Sequence, residues 1–333
     1  MTQAEYPRVP AVLRVHSLRV SYGTKDNRST PALRGVQVEI GGGEIVGILG
    51  ESGSGKSTLA LAMLGLLPRS AQVDGSVVFQ DKELLKLDEP GWRAIRGARI
   101  AIIFQEPGIT LSPVMRVGDQ IAEVIRAHQN EDSTRRKQRV RELLRAVGLP
   151  EVDRIYSSFA HQLSGGELHR IAIAQALACK PDVVIADEPT RSLDAALQAD
   201  ILNLLRESSR KLGSSLIFIT HNPALLARFA DRIIVLYAGH VVEEGPTAEV
   251  FRHPLHPYTQ GLLRLVPVSL HHVLARGERL AVIPGSMADV DLAAPGCAFA
   301  ARCFARTSIC DQQFPHEVVL TEHRRVSCFN YGD

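Results

Sequence analysis

Gly50-Glu51-Ser52-Gly53-Ser54-Gly55-Lys56-Ser57-Thr58 carries the spacing G-x-x-x-x-G-K-[ST]. A short apolar run, Glu44–Leu49, precedes it, and a helical pattern, Thr58–Leu67, follows. A glycine-rich turn between a buried strand and a helix lets main-chain amides point inward around the phosphates of a nucleotide, and the helix N-terminus adds positive potential. Lys56 brings a point charge to the phosphates, and the Ser57 hydroxyl is suited to Mg²⁺. A lysine in an accidental turn would need neither flank.

Working outward, Asp182–Ala186 and Leu216–Thr220 are near-continuous apolar runs, as expected of parallel strands buried on both faces. Ala195–Leu212 between them has helical periodicity, which makes a βαβ unit. Asp187 and Glu188 stand at the carboxyl end of the first of these strands. Asp187 there can hold Mg²⁺, and Glu188 can orient or deprotonate a water attacking a metal-bound phosphate. Val12–Val20 and Ala32–Ile40 alternate in part, so strands with one solvated face are expected. Ile100–Phe104 is a further strand. Together these place roughly the first 245 residues in an α/β P-loop fold. Residues 106–166 interrupt the pattern with helical stretches, Val117–His128 and Arg135–Val147, and are expected to form a helical subdomain. The basic run Arg135, Arg136, Lys137, Arg139 and Arg141 is expected on a solvated helix face.

The 333 residues are 45% hydrophobic and 22% charged, an ordinary globular composition that excludes a disordered chain, a collagen or a coiled coil. A net charge of +2 is too balanced for binding a nucleic-acid backbone, so no nucleic-acid partner is expected. No stretch reaches the roughly 18–20 apolar residues of a membrane span, and Met1–Pro10 lacks the apolar core of a signal peptide. A cytoplasmic location is therefore expected.

Further motifs follow in order. Leu163-Ser164-Gly165-Gly166-Glu167 resembles the signature sequence of ABC-type ATPases. Gln105 resembles that family's Q-loop glutamine, Ser192-Leu193-Asp194 its D-loop, and His221 its switch histidine. Tyr22, in Ser-Tyr-Gly, sits where the family places an aromatic residue that stacks on adenine. The resemblance implies ATP hydrolysis, with Glu188, His221 and Gln105 catalytic and with Ser57, Gln105 and Asp187 around Mg²⁺. Gly50 to Thr58 and Tyr22 would bind the nucleotide. It also implies a head-to-tail dimer in which Ser164, Gly165, Gly166 and Glu167 act on the partner's ATP and Asp194 lies at the interface. Two positions depart from the pattern. Asn222 stands where relatives commonly have aspartate, and Glu167-Leu-His169 where near relatives often have a more basic run.

The tail narrows the resemblance. After Gly245 the prolines 246, 254, 257, 267, 284, 295 and 315 predict a turn-rich segment with short helices such as Pro257–Leu265. His256-Pro-Tyr-Thr-Gln-Gly-Leu-Leu263 and Pro295-Gly-Cys297 are similar to the C-terminal extension of ATP-binding subunits from oligopeptide and dipeptide importers. The expected domains are an ATPase domain over 1–250 and an extension over 251–333. Such a subunit would sit on the cytoplasmic face of the inner membrane. Its partners would be a second ATPase subunit (a paralogue in preference to an identical chain), two membrane permeases and an extracytoplasmic binding protein. Nickel or another small solute is an alternative cargo, and a soluble ATPase outside transport an alternative class.

Cys297, Cys303, Cys310 and Cys328 run C-x5-C-x6-C-x17-C, which matches neither the usual zinc knuckles nor the common ferredoxin runs. Spacing alone leaves iron–sulfur, zinc and free thiols open. The resemblance to the importer extension implies a [4Fe–4S] cluster, and thus a small proline-rich metal-binding domain. Cys179 stands apart and is expected to be a buried small side chain.

Overall fold

A computed structural model describes residues 10–23, 29–264, 283–292, 294–321 and 323–331. Most of Met1–Pro10, Leu265 and Pro267, on which expectations were placed, lie outside these residues.

The chain opens with two long antiparallel strands, β1 (Ala11–Gly23) and β2 (Ser29–Gly41), then β3 (Ile45–Leu49) and helix α1 (Lys56–Met63). Strands β4 (Ala71–Phe79) and β5 (Lys82–Glu83) precede α2 (Glu89–Ile95) and β6 (Ile100–Ile103). From there to the next strand the named elements are helical: α3 (Pro107–Thr110), α4 (Val117–His128), α5 (Ser133–Ala146), α6 (Val152–Ser157) and α7 (Gly165–Ala176), with a 3-10 turn at Ala160–Gln162. Alternation then resumes with β7 (Val183–Asp187), α8 (Ala195–Leu212), β8 (Ser215–Thr220), α9 (Pro223–Phe229), β9 (Arg232–Tyr237) and β10 (His240–Pro246). Helices α10 (Thr247–Arg252) and α11 (Pro257–Arg264), three 3-10 turns, β11 (Val318–Thr321) and β12 (Arg324–Val326) complete it.

Two sheets result. One is four-stranded and antiparallel in the order β2-β1-β4-β5, and the other is eight-stranded in the order β11-β12-β10-β9-β3-β8-β7-β6. In the larger sheet β9, β3, β8, β7 and β6 are parallel, and β10, β12 and β11 continue it antiparallel. Successive side chains on a strand point to opposite faces, and β3 shows the consequence. Val46 and Ile48 enter the core shared with α1 and the smaller sheet, whereas Ile45 and Leu49 enter the core shared with the helices between β6 and β7. Burial on both faces explains why β3, β7 and β8 read as unbroken apolar runs.

The C-terminal strands join the larger sheet. β12 pairs with β10 through Glu243–Val326 and Glu244–Arg325. Arg324 Nη2 donates to the buried Glu243 carboxylate at 2.5 Å, and that carboxylate also accepts from the amides of Leu255 and His256 at 2.9 Å each. A buried carboxylate is tolerable only when so fully partnered. Arg232 likewise sits between Glu44 and Glu244.

On α5 the expected solvated basic face divides. Arg135 and Lys137 are exposed. Arg139 turns inward to Glu131 and the Ala178 carbonyl, and Arg141 pairs with Asp153 over the Tyr156 ring. Cys179 is buried, with its Sγ 3.8 Å from the Val124 carbonyl, as expected of a small core residue.

Candidate nucleotide site

In the turn from β3 to α1, two glycines have no room for a side chain. A Cβ on Gly50 would lie 2.3 Å from the Leu236 carbonyl oxygen. Gly55, at φ +107°, would place one 2.7 Å from the Ala32 carbonyl oxygen. Lys56, the first residue of α1, is buried, and its ammonium donates to the carbonyls of Gly50 (2.7 Å) and Glu51 (2.8 Å) and to Ser54 Oγ (3.3 Å). Burial lowers the Lys56 pKa from its ordinary value, against the pull of Glu188, Asp187 and Glu51. Ser52, Gly53 and Ser57 face solvent at the mouth of the loop. Tyr22, near the end of β1, donates its hydroxyl to Thr58 Oγ1 at 3.3 Å, which brings its ring beside the start of α1.

At the end of β7, burial raises the Asp187 pKa while a hydrogen bond with Ser57 and the charge of Lys56 oppose the shift. Ser57 and Asp187 offer the oxygen donors that a hard cation takes, so this pair fits Mg²⁺. Glu188 follows at φ +46°, in the left-handed region. A non-glycine residue held there costs on the order of 1 kcal/mol. Its Oε1 accepts from His221 Nδ1 at 3.0 Å. Its Oε2 is buried without a hydrogen-bond partner among the described residues and lies 3.6 Å from Arg191. Strand β8 carries His221 to this point because β7 and β8 are neighbours in register, Asp187 opposite Ile219.

The fold thus gathers Tyr22, the loop from Gly50 to Thr58, Asp187, Glu188 and His221. Other expected residues share no hydrogen bond or ion pair with this group among the described residues. Ser164 is the N-cap of α7 in a reciprocal capping box with Glu167: Ser164 N and Oγ each donate to Glu167 Oε2 at 2.8 Å, and Glu167 N donates back to Ser164 Oγ at 3.3 Å. Burial pushes the Glu167 pKa up, but the Ser164 bonds and Arg154 bring it below its ordinary value. Among the described residues, no hydrogen bond or ion pair joins Ser164, Gly165, Gly166 or Glu167 to the phosphate loop. Asp194 caps α8 by accepting from Ala196 and Leu197 at 3.0 Å each. Gln105, half-buried, follows β6.

Both departures have a structural place. Asn222 caps α9 by accepting from Ala224 N at 3.0 Å, a role an aspartate would fill equally. His169 is buried with Nδ1 2.7 Å from the Gly165 carbonyl, so that nitrogen carries the proton and clasps the first turn of α7.

The four C-terminal cysteines carry no disulfide. Burial first, and then the neighbouring Cys310, Cys303 and Cys328, push the Cys297 thiol up to about 11. Cys297 thus lies near enough to the other three thiols to feel their charge. The metal site expected on them is not assembled, however: among the described residues no three His, Cys, Asp or Glu side chains form a group arranged to hold a metal ion. The donor set fits iron–sulfur or zinc chemistry by residue type alone.

Sequence reasoning missed the anchors of Glu51. Arg302 grips its carboxylate, and the Tyr258 hydroxyl accepts from its amide. Tyr258 lies within the His256-Pro-Tyr stretch, but nothing local in that stretch tells which distant residue it meets.

A phosphate loop, an acidic strand end and a histidine on the glutamate define a P-loop ATPase of the ABC type. The sequence matches the ABC transporter family over residues 33–191 and the family described as oligopeptide/dipeptide transporter, C-terminal region, over residues 242–310. It is 41% identical to the dipeptide transport ATP-binding protein DppD of Bacillus subtilis, covering 96% of this chain and 94% of that one. It is 39% identical to the oligopeptide transport ATP-binding protein OppD of Escherichia coli, covering 96% and 93%. Among solved structures, the post-hydrolysis dimer of the ATP-binding cassette MJ0796 bound to ADP and Pi superposes with a TM-score of 0.63 at 29% identity, over 71% of this chain and 98% of that one. The chain belongs to the ATP-binding proteins of the ABC oligopeptide/dipeptide transporter family. Among the described residues no helix is long and apolar enough to cross a membrane.

Proposed function

We propose that this chain is the ATP-hydrolysing subunit of an importer of di- or oligopeptides, bound peripherally to the cytoplasmic face of the inner membrane. The observation that carries the chemistry is the convergence of Lys56, Asp187 and Glu188 on one loop, with His221 on the Glu188 carboxylate. The names of the full-length relatives support the cargo. A nickel or other small-solute importer is the alternative reading.

In this reading ATP lies on the loop from Gly50 to Thr58, with adenine on the Tyr22 ring. Lys56 exchanges the carbonyls of Gly50 and Glu51 for phosphate oxygens, a charge-assisted replacement for neutral hydrogen bonds. Ser57, Asp187 and Gln105 would hold Mg²⁺, which neutralises charge on the phosphates when bound. Glu188 orients the attacking water and takes its proton. The His221 Nδ1–H fixes Oε1 and leaves Oε2 for that water. Ser164, Gly165, Gly166 and Glu167, which share no hydrogen bond or ion pair with this loop among the described residues, would close on the ATP of a second ATPase subunit, a paralogue in preference to an identical chain, with Asp194 at the junction. A clamp held by the γ-phosphate would open after hydrolysis.

Residues 1–250 would form the ATPase domain. Within it, residues 106–166 would form a helical subdomain that receives two permease subunits, which an extracytoplasmic binding protein loads. Residues 251–333 would form the extension, with a [4Fe–4S] cluster on Cys297, Cys303, Cys310 and Cys328 to tie a proline-rich segment. The purified chain tests the enzymatic part. Magnesium-dependent ATP hydrolysis with ATP-driven dimerisation is expected, and failure to bind ATP contradicts it.

A further inference from the structure

Glu51, the second residue of the phosphate loop, is held at three points. Its carbonyl accepts from Lys56 Nζ at 2.8 Å, its amide donates to the Tyr258 hydroxyl at 2.8 Å, and its carboxylate meets Arg302 in a two-pronged pair, Nη1 to Oε2 at 2.7 Å and Nη2 to Oε1 at 3.0 Å. Two of the three anchors come from beyond residue 250, on a chain segment 207 and 251 positions away.

Arg302 is itself immobilised. Its side chain is only 6% exposed. Nε donates to the Pro284 carbonyl at 2.7 Å, and Nη1 reaches the Tyr237 hydroxyl at 3.3 Å. The guanidinium lies over the rings of Tyr237 and Phe299 at 5.8 and 5.9 Å. Those rings pack with Tyr258 in a tight aromatic cluster, with centroids 4.5 to 5.4 Å apart. A planar fork so fixed sets the orientation of the carboxylate it binds. With the side chain and amide of Glu51 both fixed, the peptide that presents its carbonyl to Lys56 has little freedom left.

We infer that Arg302 is a positioning residue for ATP binding: acting through Glu51, it pre-organises the phosphate loop, so that the C-terminal extension sets the nucleotide affinity of the ATPase domain. The inference rests on the nucleotide-site reading above. A loop already in its binding conformation loses less freedom when the phosphates arrive. The effect should therefore appear in affinity and not in the chemical step.

The test compares full-length wild type, Arg302→Gln, Arg302→Lys, Glu51→Gln and the double variant Arg302→Gln/Glu51→Gln. A fluorescent ATP analogue reports Kd, and steady-state hydrolysis reports KM and kcat. Arg302→Gln should raise Kd and KM about tenfold, equivalent to about 1.4 kcal/mol, with kcat nearly unchanged. Arg302→Lys should recover part of the loss, and the double variant should be no worse than either single one. If Arg302→Gln does not fold, as judged by circular dichroism, Glu51→Gln breaks the same pair from the loop side and carries the test alone. Single-variant affinities within about twofold of wild type, or losses that simply add in the double variant, overturn the inference. A wild-type chain that binds no ATP overturns the nucleotide-site reading and this inference with it. A wild-type chain that binds ATP no more tightly than Arg302→Gln overturns the inference alone.

Discussion

His221 Nδ1 lies 3.0 Å from Glu188 Oε1, and the other oxygen of that carboxylate is buried without a hydrogen-bond partner among the described residues. One oxygen is thereby oriented and the other left to accept a proton. Glu188→Gln keeps the shape and removes the base, so turnover should fall roughly 10²–10⁴-fold, with ATP affinity close to wild type. Single-turnover hydrolysis beside equilibrium binding checks both halves.

Lys56 is satisfied in this structure by Gly50, Glu51 and Ser54. Its removal takes away the charge that phosphates would meet. Lys56→Ala should weaken ATP binding by at least about tenfold, in contrast to Glu188→Gln. Titration calorimetry with the two variants side by side separates binding from chemistry.

The Ser164–Glu167 capping box stabilises α7 and shapes the end that would face a partner's ATP. Ser164→Ala should cost roughly 1 kcal/mol of stability, seen as a lower Tm. In a Glu188→Gln background it should also weaken ATP-driven dimerisation, measured by light scattering.

His256 is fully buried, and burial lowers its pKa to about 3; Nδ1 accepts from the Tyr258 amide at 3.0 Å. His240 is lowered to about 3 as well, by burial and then by Arg34 and Arg19. Folded and neutral, each binds fewer protons than in the unfolded chain between about pH 3 and 6.5. Stability is therefore full above the unfolded pKa and is lost as pH falls from about 6.5 towards 3. Each contributes a slope approaching roughly 1.4 kcal/mol per pH unit. Tm measured from pH 7.5 to 5 should fall, and His256→Asn should flatten the slope.

What the sequence disclosed follows the range over which each signal acts. Asp187, Glu188 and His221 sit at ends of strands buried on both faces, so an apolar run followed by a polar residue marked each place, whereas Lys56, at the start of α1, was marked by the G-x-x-x-x-G-K spacing. Ser164 and Glu167 were legible only through the resemblance of Leu163–Glu167 to a family signature, and their reciprocal capping box emerges from the structure. Strands β10 and β12 gave no such mark. β12 is three residues long, and its pairing depends on ion pairs such as Arg324–Glu243 that join distant positions. The Arg302–Glu51 grip, across 251 positions, is likewise a product of tertiary packing. The inward turn of Arg139 depends on where the Ala178 carbonyl falls, which helix periodicity does not encode.

The four cysteines give a direct test of the extension. Anaerobically purified chain should absorb broadly in the visible region and contain about four irons and four sulfides. A colourless chain with zinc or no metal would contradict the cluster and leave the ATPase reading intact.

In the proposed function, ATP hydrolysis at Glu188 drives peptide import. Peptide accumulation in vesicles carrying the assembled transporter, with ATP and the peptide-loaded binding protein, tests it most directly. Uptake that needs ATP and is lost in Glu188→Gln is the expected result. Uptake that proceeds equally well with Glu188→Gln, or an ATPase that no di- or oligopeptide stimulates, would contradict it.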